Sequence, residues 1–298
     1  MDKKIVECVP NISEGRNATV VAECVNAVAS VEGIKVLNFT SDYDHNRSVI
    51  TFIGSPEAVS EGAVRLCKKA SELIDLTKHT GEHPRMGAVD VIPFIPIKNT
   101  DMAEVTALAK NTGKRIYDEA GIPVYLYENA ASAPHRRNLA DVRRGQFEGL
   151  PDKTKQPEWQ PDFGEGFHKT AGISIVGARE FLIAYNIELS TDDVDIAKAI
   201  AKTVRESSGG FKCVKALGLM LHKRNTAQVS LNMTDFNVTP LYAVVEKVKE
   251  EAAKYGVTVT ATELIGLSPM KALIDSAEYY LKIRDFDYKT QVFENHLL

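Results

Sequence analysis

The chain lacks the features that would take it out of the ordinary globular class. It has four cysteines in 298 residues, Cys8, Cys24, Cys67 and Cys213, with no CxxC pair and no dense spacing. That excludes a disulfide scaffold and a thiolate zinc site. No window approaches the roughly 18 apolar residues of a membrane span. The start, MDKKIVECVPNISEG, carries only a short apolar-leaning run before Pro10, too short for the apolar region of a secretion signal. The expected location is cytoplasmic, which makes the Asn-x-Ser/Thr triplets at Asn11 and Asn232 chance matches. A large charge of one sign is missing as well. The net charge of -4 gives no general attraction to nucleic acid or to an anionic membrane. An anionic small molecule must then meet a local cluster of Arg and Lys.

What is present is an ordinary composition, 44% hydrophobic and 26% charged, in a chain long enough for two domains or one large one. The most informative stretch is residues 78–97, KHTGEHPRMGAVDVIPFIPI. It opens polar, with His79 and His83, turns on Pro84 and Gly87, and continues as an apolar run with prolines at 93 and 96. The run reads as a buried strand, so the ionisable groups sit on a loop anchored in the core.

Periodicity supplies the remaining elements. Residues 4–9, 34–39, 48–54, 89–97 and 123–127 read as strands. Helices are predicted over 18–31, from 55 to about 76, and over 101–120, with a basic helical piece at 137–144. Residues 146–170, rich in Gly, Pro and charge, read as a segment crossing between two halves. The pattern then restarts with strands at 172–178 and 181–189, a helix over 191–206 and a hairpin of 214–222 with 227–233. A helix over 239–255, a strand over 257–264 and a last helix over 269–283 complete it. Each half has the order strand, helix, hairpin, helix, strand, the split βαβ or ferredoxin-like arrangement. The expected class is α+β: two such sandwiches, sheets packed face to face, with a ligand cleft between them.

Several residues read two ways. His83 is either a solvated loop group or a proton carrier titrating near neutrality. The His79–His83 spacing suits zinc on a helix, but Gly81 and Pro84 oppose a helix there and no third ligand lies nearby. Arg47, Arg85 and Arg179 are candidate carboxylate forks or surface charges. Asp42 and Asp44 orient an imidazole or simply form the turn with His45. The pairs Arg136–Arg137 and Arg143–Arg144 read as a solvated helix face or as a guide for a polyglutamate tail. Phe163 and Phe167 either stack on a ligand ring or pin the crossing segment. Asn186, polar within FLIAYNIEL, needs a partner.

HTGEHPRMGAVDVIPFIPI, with VECVPNISEGRN, PVYLYENAA, EWQPDFG and VGAREFLIAYNIEL, resembles the formiminotransferase family in collinear order over nearly the whole chain. The resemblance implies N- and C-terminal formiminotransferase subdomains at 1–178 and 179–298, with a folate site between them. It implies transfer of the formimino group from N-formimino-L-glutamate to N5 of tetrahydrofolate, in histidine degradation, without a metal. The histidine of GEHPRMG, here His83, is then the catalytic acid/base. The folate-contacting segment corresponds to Gly164, Glu165, Gly166, Phe167, His168, Lys169, Thr170, Ala171 and Gly172. Substrate contacts fall to Arg47, Arg85, Arg179, Asp42 and Asn186. A homodimer is expected, with small-molecule substrates, no nucleic acid or membrane partner, and no cyclodeaminase in these residues. The alternatives are formyl transfer between 5-formyltetrahydrofolate and glutamate, metal-dependent hydrolysis, and a non-catalytic folate-binding module.

Overall fold

The protein is described from a computed structural model, which covers residues 3–296 apart from Asp44, Glu82, His222 and Lys223. The chain divides into two compact units, one ending at Arg179 and the other beginning at Glu180. Both are α+β, as expected. In chain order the first contains β1 (Ile5–Cys8), β2 (Asn11–Ile12), α1 (Ala18–Ala29), β3 (Lys35–Asp42), β4 (Arg47–Gly54), α2 (Pro56–Leu73) and β5 (Val89–Lys98). It continues with α3 (Met102–Ala120), β6 (Val124–Glu128), α4 (Leu139–Val142), α5 (Leu150–Lys153) and β7 (Ser174–Ala178). The second contains β8 (Ile183–Leu189), α6 (Val194–Val204), β9 (Val214–Leu221), β10 (Thr226–Met233), α7 (Leu241–Ala253), β11 (Val259–Ile265), α8 (Met270–Leu281) and α9 (Tyr288–Gln291).

In the first sheet β1 and β2 both pair antiparallel with β4 and β5, so they act as one central strand broken at Pro10. Pro10 has no N–H to give, but its carbonyl still accepts from Ile50 N at 3.0 Å, so the ladder bends without ending. With β3 outside β4, this part has the ferredoxin-like order. The second unit has it too, as β11-β8-β10-β9. The strand expected to restart the pattern, β7, belongs to the first sheet instead, inserted parallel between β5 and β6. Helix α2 stops at Leu73, short of Leu76, because the extended chain there packs Ile74 and Leu76 into the core and bonds Leu76 N to Thr170 O at 2.9 Å. The expected hairpin 214–222 with 227–233 is seen as β9 and β10; His222 lies outside the described residues.

Alternation decides the two faces of the first sheet. Val6, Cys8, Ile50, Phe52, Ile92, Phe94, Val124, Leu126 and Val176 share a core with α1, α2 and α3. The side chains between them point the other way. There Val91, Tyr125, Tyr127 and Ile175 form a second cluster with Val142, Leu150, Phe147, Trp159 and Phe167. Residues 146–170 are therefore no free crossing segment: individual side chains lay them over the outer face of the first sheet. Phe163 packs against Gly113 and Val124, and Phe167 meets Phe147 edge-on at 6.3 Å.

The arginine pairs are also not a solvated face. Arg137 and Arg144 are exposed, but Arg136 is buried and donates to Asp162 at 2.7 Å and to the carbonyls of Glu158 and Gln160. Arg143 pairs with buried Asp90. The sequence hides this because a one-turn helix is too short to show a period. Removing one partner of a buried pair strands the other charge. Arg136→Leu is expected to cost about 3–5 kcal/mol. Arg137→Leu should stay within roughly 0.5 kcal/mol. Urea denaturation of the two variants checks the contrast.

Candidate functional site

Three loops of the first unit meet at one end of the central strand: residues 11–17, 42–47 and 78–88. Asn46 joins them. At φ 49 it takes the left-handed conformation, which Asn tolerates better than most residues. Its side chain accepts from Gly15 N at 2.9 Å and donates to Thr80 O at 2.9 Å. The approach is so close that glycine is required. A Cβ on Gly15 would lie 2.2 Å from Asp42 O, and one on Gly81 would lie 2.4 Å from His45 O. Ser13 fastens the first loop to the start of β5, through Ser13 Oγ to Gly87 O at 2.8 Å and Ser13 N to Ala88 O at 2.9 Å.

His79 and Arg85 brace the third loop. Arg85 Nε donates to His79 Nδ1 at 3.1 Å, so the other ring nitrogen carries the proton and donates to Asn46 O at 3.0 Å. The remaining Arg85 nitrogens grip Glu148 at 2.9 and 2.7 Å and reach Gln146 Oε1 at 3.2 Å. Burial, with the adjacent Arg85 charge adding to it, holds the His79 pKa below the ordinary imidazole value. His79 is thus a bracket between loops, and Arg85 is fully engaged in holding it.

His83 sits in a different setting. Its Nδ1–H donates to Pro84 O at 2.7 Å, which leaves Nε2 as the lone-pair nitrogen. That nitrogen accepts from Arg47 Nη1 at 2.5 Å. Arg47 also donates from Nη2 to Asn11 Oδ1. Arg143, the C-cap of α4, donates from Nη2 to Asp90 Oδ2, while Asp90 Oδ1 accepts from Met86 N at 2.8 Å. The ring of His45 stands edge-on to His83 at 6.1 Å, and His45 Nδ1 lies 3.0 Å from Asp42 Oδ1. Burial first, then the Arg47 and Arg143 charges, push the His83 pKa down to about 3. Burial, reinforced by Arg143, lowers Arg47 to about 10. The imidazole is therefore neutral at physiological pH, with its lone pair capped by a guanidinium.

The residues expected at the site are only partly brought together. Arg47 contacts His83 directly and Asp42 joins the cluster through His45; Asp44 lies outside the described residues. Arg179 follows β7, bonds Phe94 O at 3.0 Å through its backbone N–H, and acts on the Tyr127 hydroxyl and the Glu7 carboxyl. Asn186 belongs to the second unit, where its amide donates to Glu263 at 3.4 Å. Residues 164–172 adjoin the base of the His83 loop. His168 and Gly172 exchange backbone hydrogen bonds at 3.0 and 2.9 Å, Ala88 N donates to Ala171 O at 2.9 Å, and Ile173 N donates to Met86 O at 3.0 Å. Gly172, at φ +70, could carry no Cβ, which would fall 1.9 Å from Met86 O. The sequence does not single out Asn11, Asp90 or Arg143 for this site. Asp90 leaves a signal there all the same: it is the one carboxylate inside the apolar run 88–97.

An α+β chain with a neutral, half-buried imidazole whose lone pair rests on an arginine has the make-up of a proton-transferring enzyme. Similarity to known proteins gives the class its family. Residues 5–179 match the model of the formiminotransferase domain, N-terminal subdomain, and residues 184–294 match that of the formiminotransferase domain. A glutamate formimidoyltransferase of Streptococcus pyogenes serotype M1 is 52% identical over 296 residues, covering 99% of both chains. One from Thermoplasma acidophilum is 47% identical, over 95% of this chain and 94% of that one. The formimidoyltransferase-cyclodeaminase of Mus musculus is 44% identical over 93% of this chain, but only 52% of its own length is matched. The chain belongs to the formiminotransferase family, and so to the enzymes of one-carbon group transfer.

The depressed His83 pKa has a consequence for stability. The folded protein holds His83 neutral down to about pH 3, whereas the unfolded chain takes up a proton near 6.5. Between those values the unfolded state binds more protons, so stability is full above about 6.5 and falls as the pH drops below it. Denaturation midpoints from pH 7 to pH 4 should fall less steeply in His83→Gln than in the parent protein.

Proposed function

We propose that the protein is a glutamate formimidoyltransferase, moving the formimino group from N-formimino-L-glutamate to N5 of tetrahydrofolate with His83 as the proton carrier. The observation that carries this is the unprotonated Nε2 of His83, set among cations in a family whose relatives carry that name. In the reaction N5 attacks the formimino carbon and forms a tetrahedral adduct. The N5 proton passes to His83 Nε2. The resulting imidazolium then protonates the glutamate nitrogen, the bond from that nitrogen to the formimino carbon breaks, and neutral imidazole is restored. One group near the reacting atoms performs both transfers.

The folate co-substrate is assigned to residues 164–172, supported by their backbone bonds to the base of the His83 loop. Among the substrate contacts, Arg47 and Asp42 have the best support from position. Arg85, engaged by Glu148 and His79, fits a role in holding the loop. Arg179 and Asn186 remain assigned to substrate on the family resemblance. The same reading takes the two compact units as the N- and C-terminal subdomains, and includes a homodimer, a cytoplasmic location and a place in histidine degradation.

Purified protein incubated with tetrahydrofolate and N-formimino-L-glutamate should develop the absorbance of a substituted folate. His83→Ala should lower kcat by about 10²–10⁴-fold while its circular dichroism spectrum stays that of the parent. Near-full turnover by the variant would remove His83 from the chemistry.

A further inference from the structure

Arg47 bonds the His83 imidazole directly, the charge of Arg143 reaches both, and neither guanidinium is fully engaged. Arg47 spends Nη1 on His83 and Nη2 on Asn11, and Arg143 spends Nη2 on Asp90. The Nε of each is buried without a hydrogen-bond partner among the described residues, as is that of Arg136; Arg47 and Arg143 differ in acting on each other and on His83. Buried donors are nearly always satisfied, so two orphans on adjacent cations call for an acceptor from outside the chain. The charges agree. Asp90 is paired directly with Arg143, and although Asp90 and Asp42 favour the Arg47 charge, burial and like-charge repulsion from Arg143 outweigh them. A carboxylate matches this need, since its two oxygens accept from a planar fork.

We propose that Arg47 and Arg143 form a two-guanidinium clamp for a carboxylate of the glutamate moiety, and that filling it draws Arg47 Nη1 off His83 and frees Nε2 for the N5 proton. The proposal rests on the formimidoyltransferase reading and deepens it. Arg143 is thereby a specificity-determining residue that periodicity placed on a solvated face. Asp90 is its positioning residue: one carboxylate oxygen fixes Arg143 and the other fixes the N–H of Met86, next to the loop that carries His83.

The clamp also couples binding to chemistry. Among the groups acting on the ring, Arg47 and Arg143, with His45 adding to them, oppose an imidazolium, and the Pro84 carbonyl alone favours it. A bound carboxylate brings a negative charge against both arginines and removes much of that opposition. His83 can then hold the proton it takes from N5 long enough to return it to the leaving nitrogen. An amidine donor with no carboxylate would neither fill the clamp nor release the base.

The probe is L-glutamate, the product of the forward reaction, used on the intact chain. NMR of the His83 ring, assigned by its loss in His83→Gln, should show the imidazole titrating at higher pH when glutamate is saturating. Arg143→Lys keeps a cation for Asp90 but loses the fork. It should weaken glutamate binding by about tenfold or more, the scale of a lost charged hydrogen bond, and raise KM for formimino-glutamate more than it lowers kcat. Arg47→Gln should raise the His83 titration point without any ligand and abolish the further rise with glutamate. Asp90→Asn/Arg143→Gln, which leaves no stranded carboxylate, replaces Arg143→Lys if that variant fails to fold. An unmoved His83 titration in saturating glutamate, or unchanged glutamate affinity in both Arg143 variants, overturns the clamp. If turnover is normal in that case, the formimidoyltransferase reading stands without it. If glutamate shifts His83 but no formimino group moves to folate, the clamp stands and the reading of the activity fails.

Discussion

The hydrogen bond from Arg47 to the lone pair of His83 is the contact around which the first unit is arranged. It requires a neutral imidazole with a fixed tautomer, and the Pro84 carbonyl supplies that by engaging Nδ1–H. It requires Arg47 at the start of β4 to lie over the loop before β5, and Asn46 ensures this by bonding to both other loops from a left-handed backbone. It requires backbones to pass closer than a side chain allows, which is why Gly15 and Gly81 stand where they do. A neutral histidine beside two cations costs the protein stability at low pH. Under the proposed clamp it becomes, in return, a base that an anion can switch on.

The outer face of the first sheet is covered by the same logic. Residues 134–168 supply few apolar runs, so they pack by separate anchors. Trp159 stands edge-on to Tyr125 at 6.1 Å and lies under Lys153 at 3.9 Å, while Phe167 meets Phe147. Buried ion pairs do the rest. Arg136 is locked to Asp162, whose other role is to accept from Leu126 N in β6 at 2.7 Å. Arg143 is locked to Asp90 in β5. Each pair fastens the covering segment to a strand, and one of them delivers a guanidinium to the site. Covering the sheet and completing the charge pattern are one event.

Much of this arrangement is legible in the amino-acid sequence. The strand and helix order of both units follows from periods of 2 and 3.6, because each element buries one side and exposes the other. The His83 loop stands out as ionisable groups on an apolar strand. What stays hidden is whatever has no period. Arg143 cannot be told from Arg144 on a helix of one turn, nor Arg136 from Arg137, since only tertiary packing decides which points inward. Residues 146–170 read as a crossing because Gly, Pro and charge usually mean a loop, whereas here four aromatics, Phe147, Trp159, Phe163 and Phe167, do the burying. Asn11 reads only as a chance glycosylation triplet, although its amide oxygen holds Arg47. The role of His79 is silent because nothing in its spacing says that it joins two loops.

The fate of the formimino carbon tests the central claim most directly. N-formimino-L-glutamate labelled with 13C at that carbon, mixed with tetrahydrofolate and the protein, can be followed by NMR. The label should leave glutamate and appear bonded to N5 of the folate, with none released to solvent as formamide or formate. Label that stays on glutamate, or that appears in free formamide or formate while the folate remains unsubstituted, would contradict it.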